Sequence, residues 1–290
     1  MINDIECIID ARAKDIGINV RRILPWAKKH MVGPFIFLDH MGPALLHAPG
    51  DHLDVRPHPH IGLSTLTYLF EGQIFHRDSL GYEQLIVPGE VNWMTAGKGI
   101  AHSEREPAES RTHDRKIHGL QFWVALPKEL EEMEPSFHHY PQADIPDFKT
   151  DSLSIKVVAG EAFGKTSKLL AHSPMTFLVM TAFQTGSFAF EQPAFELALY
   201  VVKGSLRVGE TSFHETQMVV FKKGSALKVE HSSDGVLALI GGVPFPEKRI
   251  IWWNLVSSSQ EKIDQAKAAW NDGTFPQVPG DPERIPLPVD

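Results

Sequence analysis

The stretch Arg56-Pro57-His58-Pro59-His60-Ile61-Gly62 places two histidines two residues apart. In an extended strand alternate side chains share a face, so His58 and His60 point to the same side. A second pair with this spacing, His102 and Glu104, follows the glycine-rich run Thr95-Ala96-Gly97-Lys98-Gly99-Ile100-Ala101. On neighbouring strands the two pairs would gather three imidazoles and one carboxylate around one point. Neutral imidazole suits iron, copper, nickel and zinc, and the hard carboxylate favours iron or manganese over copper. Four protein ligands on an octahedral metal leave two positions, for a substrate together with dioxygen or for two waters. A lone His-x-His in a chain of 15 histidines is more often incidental than a ligand pair. The second pair makes the pattern specific. The prolines on either side of His58 remove ladder donors, which predicts a strand end at a barrel mouth rather than a mid-sheet position.

Such a site needs strands to carry it. The apolar segments are short, rich in Val, Ile, Thr, Phe and Tyr, and bounded by turn residues: Leu63–Phe70, Ile155–Val158, Phe177–Phe183, Leu197–Val202, Gln217–Phe221 and Val236–Ile240. Length and composition predict strands. The 22 glycines and 21 prolines supply the turns of an all-β chain. One helix is expected near the end, with Ser258 and Glu261 as a capping box, Ile263, Ala266 and Trp270 on one face, and Gly273 closing it. A shorter helical turn is expected at Lys128–Met133. The proline-rich tail Phe275–Asp290 reads as extended and wrapped over the body. Aligning the turn glycines Gly72 and Gly204 matches Tyr68-Leu69-Phe70-Glu71 with Tyr200-Val201-Val202-Lys203. This predicts two similar β modules with a boundary near Pro141–Thr150.

The motifs together resemble the pirin family, a branch of the cupin superfamily. The resemblance is carried by Val20-Arg21-Arg22, Asp39, Pro57-His58-Pro59-His60, Thr67-Tyr68-Leu69 with Glu71-Gly72, and Trp93 through Ile100. It continues through His102–Glu104, His118-Gly119-Leu120-Gln121, Trp123, Leu126-Pro127, Glu134-Pro135 and Val157 to Glu161, densely over about the first 165 residues. It implies an all-β bicupin of two antiparallel, jelly-roll-like barrels with a short C-terminal helix. Residues 1–140 would form the metal-binding cupin, and residues 150–290 a cupin without a metal site that carries the helix and tail. Pirins bind one metal ion through three His and one Glu, here His58, His60, His102 and Glu104. The resemblance points to one Fe(II) per chain, other transition metals remaining open. Many pirins carry Glu four residues after the second His, where this chain has Ser64. In the second module the positions matching His58 and His60 are Phe190 and Gln192, and His231 has no partner at strand spacing. Two functions follow from the resemblance. One is a quercetin (flavonol) 2,3-dioxygenase, taking a flavonol and dioxygen, with Glu104 as a ligand that also accepts the substrate proton. The other is a non-enzymatic, iron-dependent regulator acting through a protein partner.

Composition bounds the alternatives. Hydrophobic residues make up 42% of the 290-residue chain and charged residues 22%, which excludes global disorder. The net charge of −8 gives no bulk attraction to nucleic acid or anionic lipid. No direct nucleic-acid binding or membrane association is expected. The charge-free stretch Leu169–Phe190 contains Pro174, Gly186 and Gln184 and reads as strands with a turn rather than a membrane helix. A single cysteine, Cys7, cannot form an intrachain disulfide, so a reducing cytoplasm is expected, and barrels that close their own edges suit a monomer. Cys7 reads as an unreactive thiol. His138 and His139 read as surface residues, Trp252-Trp253 as packing under the helix, and His76 as either pocket lining or core. No Walker loop, dinucleotide fingerprint or zinc-finger spacing is present, and Gly97-Lys98-Gly99 is too short to cradle phosphate.

Overall fold

In the computed structural model, which describes residues 4–16, 19–51 and 53–288, the chain is almost entirely β. It forms two compact units, and neither is contiguous. One comprises residues 14–20, 40–141 and 246–290; the other comprises residues 1–13, 21–39 and 142–245. The connection between modules, at Pro141–Gln142, lies beside the expected boundary, but the termini are exchanged relative to a division at 140–150. The strand Ile5–Asp10 pairs with Gln217–Phe221, with Ile9 opposite Met218, and so extends the sheet of the second module. The terminal helix and tail belong to the first. Both exchanges bury apolar side chains that a free terminus would leave in water.

Each unit contains a large and a small antiparallel sheet. In the first, a seven-stranded sheet includes, in order, Ser136–Tyr140, Val91–Thr95, Leu63–Glu71, Arg115–Ala125 and Phe35–Leu46, the last strand crossing the division at Asp39 and His40. The smaller sheet orders as Asp54–His60, Ile100–Arg105, Ile74–Asp78 and Glu83–Ile86. In the second unit the large sheet is built on Gln217–Phe221, Glu196–Lys203, Val236–Gly242 and Met175–Ala182. Its small sheet orders as Gly186–Phe190, Leu227–His231, Ser205–Val208 and Thr211–His214. The same strand order appears in both modules, which is the internal repeat seen as topology. Its two marker glycines both sit in left-handed turns, Gly72 at φ 85° and Gly204 at φ 79°. A side chain at Gly72 would place Cβ 2.5 Å from the Lys116 carbonyl oxygen, so turn and close packing both demand glycine. The sheets are open jelly-roll layers rather than closed barrels, so edges such as Asp54–His60 persist among the described residues.

The helix Gln260–Asn271 buries Ile263, Ala266 and Trp270 against Ile61, Ala101, Leu255, Phe275 and Val278, as its periodicity predicts. Gly273, at φ 74°, closes it. The capping box is not formed. Ser259 occupies the N-cap without a side-chain bond, while the Ser258 hydroxyl and backbone N–H donate to the Glu131 carboxylate at 3.0 and 2.8 Å. Glu131 is itself 3.0 Å from Arg249, both side chains being 1% exposed or less. A buried carboxylate is a stronger acceptor than anything the helix start offers, so it captures the serine. The expected turn at 128–133 shrinks to a 3-10 turn, Lys128–Leu130. The tail runs extended along the first unit, the Ile285 N–H reaching the Pro57 carbonyl at 2.9 Å and the Trp270 indole N–H reaching the Ile285 carbonyl at 2.9 Å. The charge-free stretch holds strands Met175–Ala182 and Gly186–Phe190, and among the described residues no helix is long and apolar enough to cross a membrane.

Candidate metal centre

The prolines around His58 fit because Asp54–His60 is the edge of the four-stranded sheet, where a missing ladder donor is tolerated. On its paired side, His58 lies opposite His102 and His60 opposite Ile100. The turn before His102 is forced tight: Gly97 sits at φ 51°, where a Cβ would lie 2.0 Å from the Met133 carbonyl oxygen. Ring centroids of His58, His60 and His102 are then 4.4 to 5.0 Å apart. One ring nitrogen from each lies within 4.8 Å of the other two, and all three side chains are buried. Among the described residues no other group of three His, Cys, Asp or Glu is arranged in this way.

Hydrogen bonding fixes which nitrogen His58 and His60 present. His58 donates from Nδ1 to the Arg56 carbonyl at 2.9 Å, and His60 from Nδ1 to the Asn254 carbonyl at 2.8 Å. A carbonyl only accepts, so in the neutral rings the lone pair sits on Nε2. The Nε2 atoms of His60 and His102 are 3.1 Å apart. Two nitrogens about 2.1 Å from one metal and at right angles would be about 3.0 Å apart, so the spacing suits adjacent ligands of a single ion. Burial, the largest cause, lowers the His58 pKa to about 4 and holds His60 and His102 well below the ordinary histidine value. All three rings are therefore neutral at pH 7, the state that ligates metal. Three buried, neutral rings with one nitrogen each brought to a common point fit a transition-metal ion.

Glu104 follows His102 on the same strand. The two strands lose register between His102 and Glu104: His102 faces His58, but Glu104 faces Val55. A bulge at Arg56–Pro57 takes up the extra residue. The Glu104 carboxylate is not among the converging atoms; its Oε1 lies 3.4 Å from Thr67 Oγ1, whose single proton goes to Gln121 Oε1 at 2.7 Å. Burial raises the Glu104 pKa. Thr67 and Gln121, a cross-strand pair, were not singled out from sequence, although they fall within motifs that carry the family resemblance.

The structure separates the remaining candidates. His76 is neither simple core nor open lining: its Nδ1 is 3.4 Å from His102 Nδ1, and its Nε2 is 2.9 Å from Asp78 Oδ2. Asp78 went unremarked, yet His76-x-Asp78 repeats the two-residue spacing of the other dyads. Ser64 is fully buried and bonded to Thr95 Oγ1 at 3.0 Å. His138 and His139 are half-buried rather than on the surface, because their strand lies along Val91–Thr95, and His139 bonds to the Asn92 amide oxygen at 2.9 Å. Cys7 is half-buried, and burial raises its pKa, as an unreactive thiol requires. Trp252 and Trp253 pack on the helix cluster, with Lys267 over the Trp252 ring at 4.2 Å.

In the second unit two of the three positions that match the triad, Phe190 and Leu227, hold hydrocarbon, and the third is the half-buried amide Gln192. Phe190 lies opposite Leu227, as His58 lies opposite His102, and both are buried in the apolar core. Val229 then stands where Glu104 stands in the first unit. His231 is satisfied by Ser152 Oγ at 3.1 Å and by the Ser232 carbonyl at 3.1 Å.

Comparison with known proteins agrees with this geometry. Residues 17–124 match the Pirin family and residues 177–276 the Pirin C-terminal cupin domain. A pirin-like protein of Caulobacter vibrioides is 46% identical, covering 98% of this chain and 99% of its own. The crystal structure of a quercetin 2,3-dioxygenase from Acinetobacter baumannii superposes with a TM-score of 0.92 at 35% identity, over 99% of this chain and 96% of that one. A bacterial pirin from Escherichia coli, solved in complex with nickel(II), shares the fold at 19% identity, with a TM-score of 0.64 over 82% of this chain and 99% of its own. With both halves of the family matched and a near-full-length relative at this identity, the chain belongs to the pirin family.

Proposed function

We propose that this chain is a metal-dependent dioxygenase of the quercetin 2,3-dioxygenase type, with His58, His60 and His102 as metal ligands and Glu104 as the fourth. The observation that carries this reading is the convergence of three neutral, buried histidines, two of them with the Nε2 lone pair fixed, combined with the likeness to a quercetin 2,3-dioxygenase structure. A divalent transition metal bound there, which we take to be iron(II), supplies a Lewis acid for the flavonol oxygens and an open position for dioxygen.

The protein's own part is binding and proton handling. Glu104, whose affinity for a proton burial has raised, accepts the flavonol hydroxyl proton on its carboxylate. Thr67 Oγ1, 3.4 Å from that carboxylate, is an acceptor once Glu104 is protonated, its own proton being held by Gln121. Trp123 stands edge-on to His60 with centroids 5.2 Å apart, and Phe137 stacks on His76 at 4.4 Å, so two aromatic rings back the ligand cluster and exclude water from it. Three histidines and one glutamate would leave two positions of an octahedral ion open, where a tetrahedral structural site is closed by its four ligands, which favours a reactive centre.

The test is dioxygen uptake by metal-replete protein against a panel of flavonols and catechols. Uptake with a flavonol is expected, and Glu104→Gln should reduce turnover more than it weakens flavonol binding. Metal-replete protein that neither binds flavonols nor consumes dioxygen with them would overturn the dioxygenase reading and leave the regulator.

A further inference from the structure

Of the three triad histidines, only His102 has no backbone carbonyl at its Nδ1. His58 and His60 are locked by Arg56 and Asn254, but His102 Nδ1 faces another imidazole, that of His76, at 3.4 Å. His76 in turn reaches Asp78 Oδ2 through Nε2 at 2.9 Å. His76 and Asp78 lie on Ile74–Asp78, which pairs with the strand of His102 so that Asp78 stands opposite His102. Both are buried, Asp78 completely.

We propose that Asp78 and His76 are positioning residues that set the tautomer of His102 and so its readiness to bind metal. The polarity runs in one direction. A carboxylate accepts only, so His76 carries its proton on Nε2 and, as a neutral ring, presents a lone pair at Nδ1. That lone pair accepts the His102 Nδ1–H, which leaves the His102 Nε2 lone pair facing the Nε2 of His60. Asp78–His76–His102 thus does with two side chains what a single carbonyl does for each of the other ligands. Ligating histidines are commonly oriented by such an outer partner.

Asp78 cannot be replaced by its amide, and the reason is local. Its Oδ1 accepts the backbone N–H groups of Leu80 at 2.9 Å and Tyr82 at 3.2 Å, holding the turn that follows the strand. Both carboxylate oxygens are therefore acceptors in use. Asparagine has one. If its oxygen keeps the turn, its NH2 faces His76 Nε2, the His76 proton moves to Nδ1, and two N–H groups confront each other between His76 and His102.

The inference rests on the triad as a metal site, and zinc(II) alone serves as the probe, since it is diamagnetic and needs no turnover. Zinc affinity is measured by chelator competition, and ring tautomers by 15N NMR of the zinc-loaded protein. In the wild type, His76 is expected to be protonated on Nε2 only and His102 on Nδ1 only. D78N and His76→Phe are each expected to lose about 10- to 100-fold in zinc affinity. His76→Gln, whose amide can donate to Asp78 and accept from His102, should stay within a few-fold of wild type. His76→Phe keeps an aromatic ring on Phe137 and leaves the turn bonds to Asp78 untouched, so its result holds even if D78N does not fold. A His76 ring protonated at both nitrogens, or equal affinities for His76→Phe, His76→Gln and wild type, would overturn the proposal. Zinc that binds and is lost in His58→Ala while His76→Phe binds normally would sink the relay and spare the metal centre. Wild-type protein that takes up no zinc would sink both.

Discussion

Acidification of the metal-free protein isolates the energetic burden of the triad. Burial lowers the His58 pKa from the ordinary 6.5 to about 4. A base with a depressed folded pKa takes up its proton more readily unfolded, so between pH 6.5 and 4 the unfolded state binds more protons and stability falls as pH falls. At about 1.4 kcal/mol per pH unit, the His58 contribution reaches about 3 kcal/mol once pH 4 is reached and is absent above pH 6.5. His58→Phe removes the titrating group and keeps an aromatic ring. His60 and His102, also held low by burial, destabilise both proteins in acid, so they largely cancel in the difference. The assay is urea unfolding from pH 7.5 to 4, read by tryptophan fluorescence. Trp93, Trp123, Trp252, Trp253 and Trp270, five of the six tryptophans, lie in the unit that holds the triad. The stability of wild type relative to His58→Phe should be flat above pH 6.5 and fall by about 3 kcal/mol towards pH 4. Parallel curves across that window would refute the reasoning, because a buried ring that titrates normally could not be the neutral ligand the site requires.

Metal removal should lower the melting temperature of the unit formed by residues 14–20, 40–141 and 246–290 more than that of the other, because an ion bound only to the folded state stabilises it by mass action, about 2.7 kcal/mol at a hundred times its Kd. Calorimetry with and without chelator reads this, and equal shifts in two resolved transitions would count against the triad as the metal site. Glu131→Gln leaves the Arg249 guanidinium buried beside a neutral amide and should destabilise by about 3–5 kcal/mol in denaturant melts; a loss below about 1 kcal/mol would show that the pair is dispensable.

The fold and the histidine cluster were legible because they rest on local rules. Strand periodicity located Leu63–Phe70 and Gln217–Phe221 nearly to the residue, and two-residue spacing put His58, His60 and His102 on faces that do converge. What was not legible depends on contacts distant in sequence. Asp78 reads as one more acidic residue until the strand pairing sets it against His102. The capping box at Ser258 fails because Glu131, 127 residues away, takes the hydroxyl. The bulge at Arg56–Pro57, which sets Glu104 opposite Val55, has no signal in the local sequence. The exchange of the terminal strand and helix leaves no local signature, since the partners of each, Gln217–Phe221 for the strand and Ile61 and Ala101 for the helix, are distant in sequence.

The two modules share strand order and turn glycines, so the fold alone cannot be what makes a metal site. In the second unit Phe190, Leu227, Val229 and Val208 occupy the positions of His58, His102, Glu104 and His76, and all four belong to one continuous apolar cluster. There the strand pairing runs without a break, Phe188 opposite Val229 and Phe190 opposite Leu227. In the first unit the same pairing carries a bulge and two prolines, and three of its inward positions are imidazoles whose burial would be costly if their nitrogens were unpaired. Backbone carbonyls at Arg56 and Asn254 offset part of that cost, and the His76–Asp78 pair offsets another part. The nitrogens left over are the three that face one another. A module that needed only a core would fill the position with carbon, as its sister does. Retaining buried polar groups whose unpaired atoms all meet at one point is the physical signature of a site kept for a ligand.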